Sequence, residues 1–174
     1  MIKTKTEEKT IENTFSHFEE MLEQFDKHMP YDGDYNLSIL KGHLLVQERL
    51  WGILKRRLPN HDVLANSTKP IEFYTLMLFA QALVQHEDAE INNAAWIWKA
   101  VTGLNSLRNK IAHNLEYSGL LDKMQDVSSL VPEQLSNDQD IVQKFYYACA
   151  QMCTALTSLE VPIDWTEVEI EIEK

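Results

Sequence analysis

The 174-residue sequence predicts an all-α fold of about five helices ending in a short acidic tail. Three observations carry that prediction. Chain breakers are scarce: only 5 Gly and 5 Pro occur, too few for the many tight turns of an all-β protein. Apolar side chains recur at steps of three and four through most of the chain, the spacing that lines one face of a helix. The composition, 44% apolar and 25% charged, is that of an ordinary globular domain. A chain near this length hides about 68–70% of its unfolded surface, so it needs no metal or disulfide staples.

The elements follow in order. Residues 1–6 are expected to fray. A first helix covers residues 7–29, with Ile11, Phe15, Phe18, Met21 or Leu22, and Phe25 on one face, and Pro30 with the Asp32-Gly33 pair ends it. A second helix covers residues 34–58; Lys55, Arg56 and Arg57 in its last turn complement the helix dipole, and Pro59-Asn60 stops it. Residues 61–69 read as a loop with one helical turn. A third helix covers residues 70–85, with Pro70 at its first position, where a missing N–H costs nothing. It is apolar on most sides (Phe73, Leu76, Met77, Leu78, Phe79, Leu83), the pattern of a helix that is central or covered by a partner. His86-Glu87-Asp88 breaks the chain before a long fourth helix over residues 90–117. Residues 118–137 read as a loop. Ser136, with Gln139 three residues on, predicts the capped start of a fifth helix over 137–159. One helical domain therefore spans residues 1–160. Residues 161–174, with alternating Glu167, Glu169, Glu171 and Glu173, form an acidic tail that is either an edge strand or disordered.

Composition also excludes functions. A net charge of −11 repels phosphate backbones, which rules out a protein that coats nucleic acid along its length and leaves room for a local basic pocket. Cys149 and Cys153, the only cysteines, share one helical face as small buried side chains, and their number gives no disulfide framework, so a reducing cytoplasm is expected. The charged N-terminal stretch lacks the apolar core of a signal peptide, and no apolar run approaches bilayer length, so no membrane association is expected. Gly42-His43 with Glu48 lacks the second His of a zinc-protease helix, and no Walker loop, dinucleotide loop or nucleophile elbow occurs. No metal or other cofactor is expected.

One segment carries chemistry: Arg108-Asn109-Lys110-Ile111-Ala112-His113, late in the fourth helix. At about 100° per residue, Ile97, Val101, Leu104, Ile111 and Leu115 share one apolar face, and Arg108 falls among them. Thr102, Ser106, Asn109 and His113 form a separate polar stripe. Arg108 and His113 project about 140° apart on an ideal helix. A guanidinium on an apolar face either snorkels to water or a carboxylate, or waits in a groove for an anion. An anion-binding fork, an orienting amide and a group that titrates near neutral pH suit metal-free RNA cleavage. An imidazole can take the 2′-hydroxyl proton while the guanidinium stabilises the charged phosphorane. The 140° separation favours a site shared by two copies of the helix across a two-fold axis.

The segment RNKIAH resembles the R-x4-6-H signature of the HEPN superfamily, including the polar residue directly after the Arg. The likeness covers residues 104–117 at the level of the motif. Beyond it the layout is similar, an antiparallel bundle of four or five helices with the motif late in a long one. The resemblance implies a homodimer with a composite cleft and metal-independent endoribonuclease activity, often as the toxin of a toxin–antitoxin or phage-defence system. It implies Arg108 and His113 as catalytic residues, oriented by Asn109, with RNA as substrate and an antitoxin or other protein as partner. Leu115 stands where the toxins paired with nucleotidyltransferase antitoxins usually carry a Tyr, and the nearest tyrosine is Tyr117. That subgroup is therefore not implied. The competing expectation is a non-catalytic helical module of the same shape, a scaffold or regulator, in which Arg108 makes an ion pair inside the bundle.

Overall fold

The computed structural model describes residues 5–30, 34–84, 95–113, 118–132 and 139–160, with side chains from residue 16 onward. Within them the fold is all-α: seven helices pack together and no strand occurs. They are α1 (Lys5–His28), α2 (Tyr35–Arg57), α3 (Asp62–Ala65), α4 (Phe73–Leu83), α5 (Ile97–His113), α6 (Leu120–Ser128) and α7 (Ile141–Glu160). None of these is long and apolar enough to cross a membrane.

Most elements form where the periodicity places them, and their ends have identifiable causes. Asp34 caps α2 by accepting a hydrogen bond from the Leu37 N–H (2.9 Å). The sequence differs from the structure at four places. The third helix begins at Phe73, not Pro70, because Glu72 is extended (φ −64°, ψ 146°) and its carbonyl accepts the first helical bond, from Leu76. The fourth helix begins at Ile97 rather than 90, because Ala95 and Trp96 form a turn and the Trp96 carbonyl accepts from the Lys99 and Ala100 N–H groups. The fifth begins at Ile141 rather than 137, because the Asp140 carboxylate accepts from the Gln143 N–H (2.8 Å) and so sets the cap after Ser136. The expected loop over 118–137 contains α6, whose Met124, Val127 and Ser128 are buried. With α6 and the single-turn α3, about five helices become seven. The tail at 161–174, the His86-Glu87-Asp88 break, Leu115 and Tyr117 lie outside the described residues.

The core is continuous. Ile39, Val46, Leu50, Ile53 and Leu54 of α2 meet Leu76 and Ala80 of α4, Val101 and Leu104 of α5, and Phe145, Cys149, Met152 and Leu156 of α7. α2 runs through its middle and packs most extensively on α7, then on α4 and α5; α1 lies against α7. Two glycines permit the close α2–α7 approach. A Cβ on Gly42 would come within 2.8 Å of Cys149 Sγ, and one on Gly52 would overlap the Glu160 carboxyl. Cys149 and Cys153 are buried free thiols, held protonated because burial raises their pKa values, Cys153 to about 12.

Arg57 explains part of the basic cluster that ends α2. Its Nε (3.3 Å) and Nη2 (2.9 Å) donate to the Leu159 carbonyl, and its Nη1 donates to the Leu83 carbonyl (3.3 Å). One guanidinium thus satisfies carbonyls in the last turns of α4 and α7.

Candidate functional site

Asn105, Arg108, Asn109 and His113 of α5 line one cavity of about 490 Å³ together with His43 and Gln47 of α2 and Glu72, Phe73 and Tyr74 at the start of α4. The helical spacing explains the α5 contribution. Taking Asn105 as zero, Arg108 projects about 60° to one side, Asn109 about 40° and His113 about 80° to the other. The cavity therefore wraps about 140° of the α5 surface. Arg108, Asn109 and His113 are brought to one cavity within a single chain, with Asn105 between them. The second helix that a site on this segment calls for is supplied by α2, and α4 adds a third wall.

Arg108 is half-buried, while Asn109 and His113 are exposed at the rim. The buried face of α5 comprises Ile97, Ala100, Val101, Leu104, Leu107 and Ile111, which centres it to one side of Arg108. The guanidinium consequently emerges into the cavity from the border of the apolar face. Its Nη1 donates to Asn109 Oδ1 at 3.2 Å. Among the described residues no carboxylate lies in ion-pair range of Arg108, although Glu72 shares the cavity wall. The guanidinium is held by a neutral amide, and among the described residues no ion pair offsets its charge, an arrangement suited to an incoming anion.

His43 is the residue that sequence reasoning set aside. It is only 5% exposed, and its ring stacks on Phe73 with centroids 4.0 Å apart and planes 29° apart. Its Nε2 is hydrogen-bonded to Asn105 Oδ1 (3.2 Å). A carbonyl oxygen only accepts, so the ring proton sits on Nε2 and Nδ1 keeps its lone pair. Desolvation lowers the His43 pKa from 6.5 to about 4; Asn105 opposes the shift and the positive charge of Arg108 adds to it. The imidazole is neutral at physiological pH. No sequence signal marks it, because α2 and α5 meet only through tertiary packing. Of the other site residues, Asn105 lay one turn before the motif and was legible only as another polar position.

A second polar cluster lies elsewhere on α2. Glu160, the last residue of α7, is 2% exposed. Its Oε2 is hydrogen-bonded to His17 Nε2 of α1 (2.7 Å), and its Oε1 has no hydrogen-bond partner, Arg49 Nε being 3.8 Å away. Burial raises the Glu160 pKa, and the nearby Arg49, His17 and Arg56 only partly offset it. Arg49 also donates to Gln24 of α1 (3.2 Å). His17, Arg49 and Glu160 each contact a neighbouring helix, so the cluster ties α1, α2 and α7 together.

Among the described residues no group of three or more His, Cys, Asp or Glu could hold a metal ion. The chain matches no protein-family model, no curated protein and no solved structure.

Proposed function

We propose that this protein is a metal-independent endoribonuclease of the HEPN type, with Arg108 and His113 as catalytic residues and Asn109 as the amide that orients them. The observation that carries the reading is the shared cavity, in which the Arg108 charge is held by Asn109 and, among the described residues, meets no carboxylate in ion-pair range. In this chemistry the guanidinium binds the scissile phosphate and stabilises its extra negative charge as the 2′-oxygen attacks. His113, exposed at the rim, exchanges a proton with the reacting oxygens. The chain as a whole is acidic and Glu72 shares the cavity wall, so RNA binding here rests on the Arg108 guanidinium, in a ribonuclease we propose to act as a toxin or phage-defence effector.

The active form is proposed to be a homodimer. Support comes from the unburied apolar rows beside the cavity: Leu37, Leu40 and Leu44 along α2, and Tyr74 and Leu78 on α4. A two-fold contact there would bring two cavities close together. Cleavage of RNA by the wild-type chain, at least a hundredfold loss in Arg108→Ala and His113→Ala, and a dimer by light scattering are the expected results. Equal rates in all three proteins, no cleavage by the wild type, or a monomeric active species would overturn it. The exposed apolar rows also suit a non-catalytic interaction module, and harmless expression in cells together with absent cleavage would favour that reading.

A further inference from the structure

We propose that His43 is a second catalytic imidazole of this cavity, taking the proton from the attacking 2′-hydroxyl while His113 gives one to the leaving oxygen. The inference rests on the ribonuclease reading and goes beyond the motif, which contains only one histidine.

Geometry carries it. His43 lines the same cavity as Arg108 and His113 but comes from α2, so the two imidazoles enter from different helices. Its ring is fixed on two sides, by stacking on Phe73 and by the bond to Asn105, which lies one turn before Arg108 and Asn109. That bond places the proton on Nε2 and leaves Nδ1 as the basic nitrogen. The charged and titratable groups that share the cavity with His43 are Glu72 just before α4, Tyr74 of α4, and Arg108 and His113 of α5. Arg108 is close enough for its charge to act on the ring.

The environments of the two histidines divide the labour. Buried beside a cation, His43 stays neutral and is available as a base. His113 is exposed at the rim, where it meets solvent and is assigned the role of acid. The step balances. The 2′-oxygen forms a bond to phosphorus and its proton passes to His43 Nδ1. The bond from phosphorus to the 5′-oxygen breaks, and that oxygen takes the proton of imidazolium His113. The products are a 2′,3′-cyclic phosphate and a 5′-hydroxyl, with no oxidant or co-reactant. An anionic phosphate bound at Arg108 would offset the cation beside His43 and raise its basicity as substrate arrives.

The test uses the full chain, a fluorogenic single-stranded RNA oligonucleotide and its all-deoxy counterpart. The wild type should cleave the RNA alone, with the acid limb of kcat/KM well below pH 6. His43→Gln, which keeps an amide donor for Asn105, should lose a hundredfold or more in kcat while remaining folded. Added imidazole should restore part of the rate to His43→Ala. A wild-type acid limb near pH 6.5, or His43→Gln within about threefold of the wild type while His113→Ala is inactive, overturns this proposal and leaves the ribonuclease reading intact. Absence of RNA cleavage by the wild type overturns both.

Discussion

Two polar clusters sit on α2, and they differ in what they leave unsatisfied. At one, His43, Asn105, Arg108, Asn109 and His113 surround open space, and a cation there lacks a carboxylate partner among the described residues. At the other, His17, Arg49 and Glu160 close on each other over Gly52, and one carboxylate oxygen is buried without a hydrogen bond. The first joins α2 to α5 through His43, and the second joins α2 to α1 and α7 through Arg49, with His17 linking α1 to α7. The first can accept a ligand without disturbing any packing. The second closes on a buried carboxyl packed against Gly52, so its polar groups serve to fasten helices. Titration separates them further. Burial lowers the His43 pKa and raises that of Glu160, because each group resists becoming charged.

Substitutions can break or sharpen this contrast, and the largest effect is expected at the closed cluster. Gly52→Ala forces a methyl group into the Glu160 carboxyl and should destabilise the fold by about 3 kcal/mol. Chemical denaturation would measure it, and pairing it with Glu160→Ala should recover much of the loss through relief of the same overlap. At the open cluster, His113→Ala should lower RNA cleavage about a hundredfold, equivalent to about 2.7 kcal/mol of activation energy, while leaving the denaturation midpoint unchanged. A large fall in stability there would make the two clusters alike and sink the distinction.

His43→Ala lies between the two cases. It removes the ring stacked on Phe73 and the bond to Asn105, which should cost about 1–3 kcal/mol in stability. The smallest effects are the pH slopes, and their signs oppose. For His43 the folded pKa lies below the unfolded value, so its contribution is present above pH 6.5 and is lost as pH falls toward about 4. For Glu160 the folded pKa is raised, so its contribution is present below pH 4.5 and is lost as pH rises through the folded value. Denaturation across pH 4–8 should show a shallower acid loss in His43→Gln and a steeper one in Glu160→Gln than in the wild type. Parallel curves for all three would remove the electrostatic part of the comparison.

The sequence discloses these regions unequally. α1, α2 and α5 were legible because long runs of three- and four-residue spacing survive any neighbouring irregularity. α6 was not, because nine residues give the period only two turns and its polar positions outnumber the apolar ones. Arg108, Asn109 and His113 were legible as a set because they lie within six residues on one helix. His43 was not, since it joins them only when α2 docks on α5, 62 residues from its partner Asn105 in the chain. The closed cluster was illegible for the same reason, His17 and Glu160 being 143 residues apart. Local rules disclose what one helix presents, while both sites are products of which helices meet.

Gly52 has a consequence for how this sequence can drift. The Glu160 carboxyl occupies the volume where any larger residue at position 52 would begin. The two positions are therefore expected to change as a pair among descendants of a common ancestor. A side chain at 52 should appear only where 160 has become small, and a Glu at 160 should always travel with Gly at 52. Their joint variation would serve as a marker of α2–α7 docking that can be read without a structure.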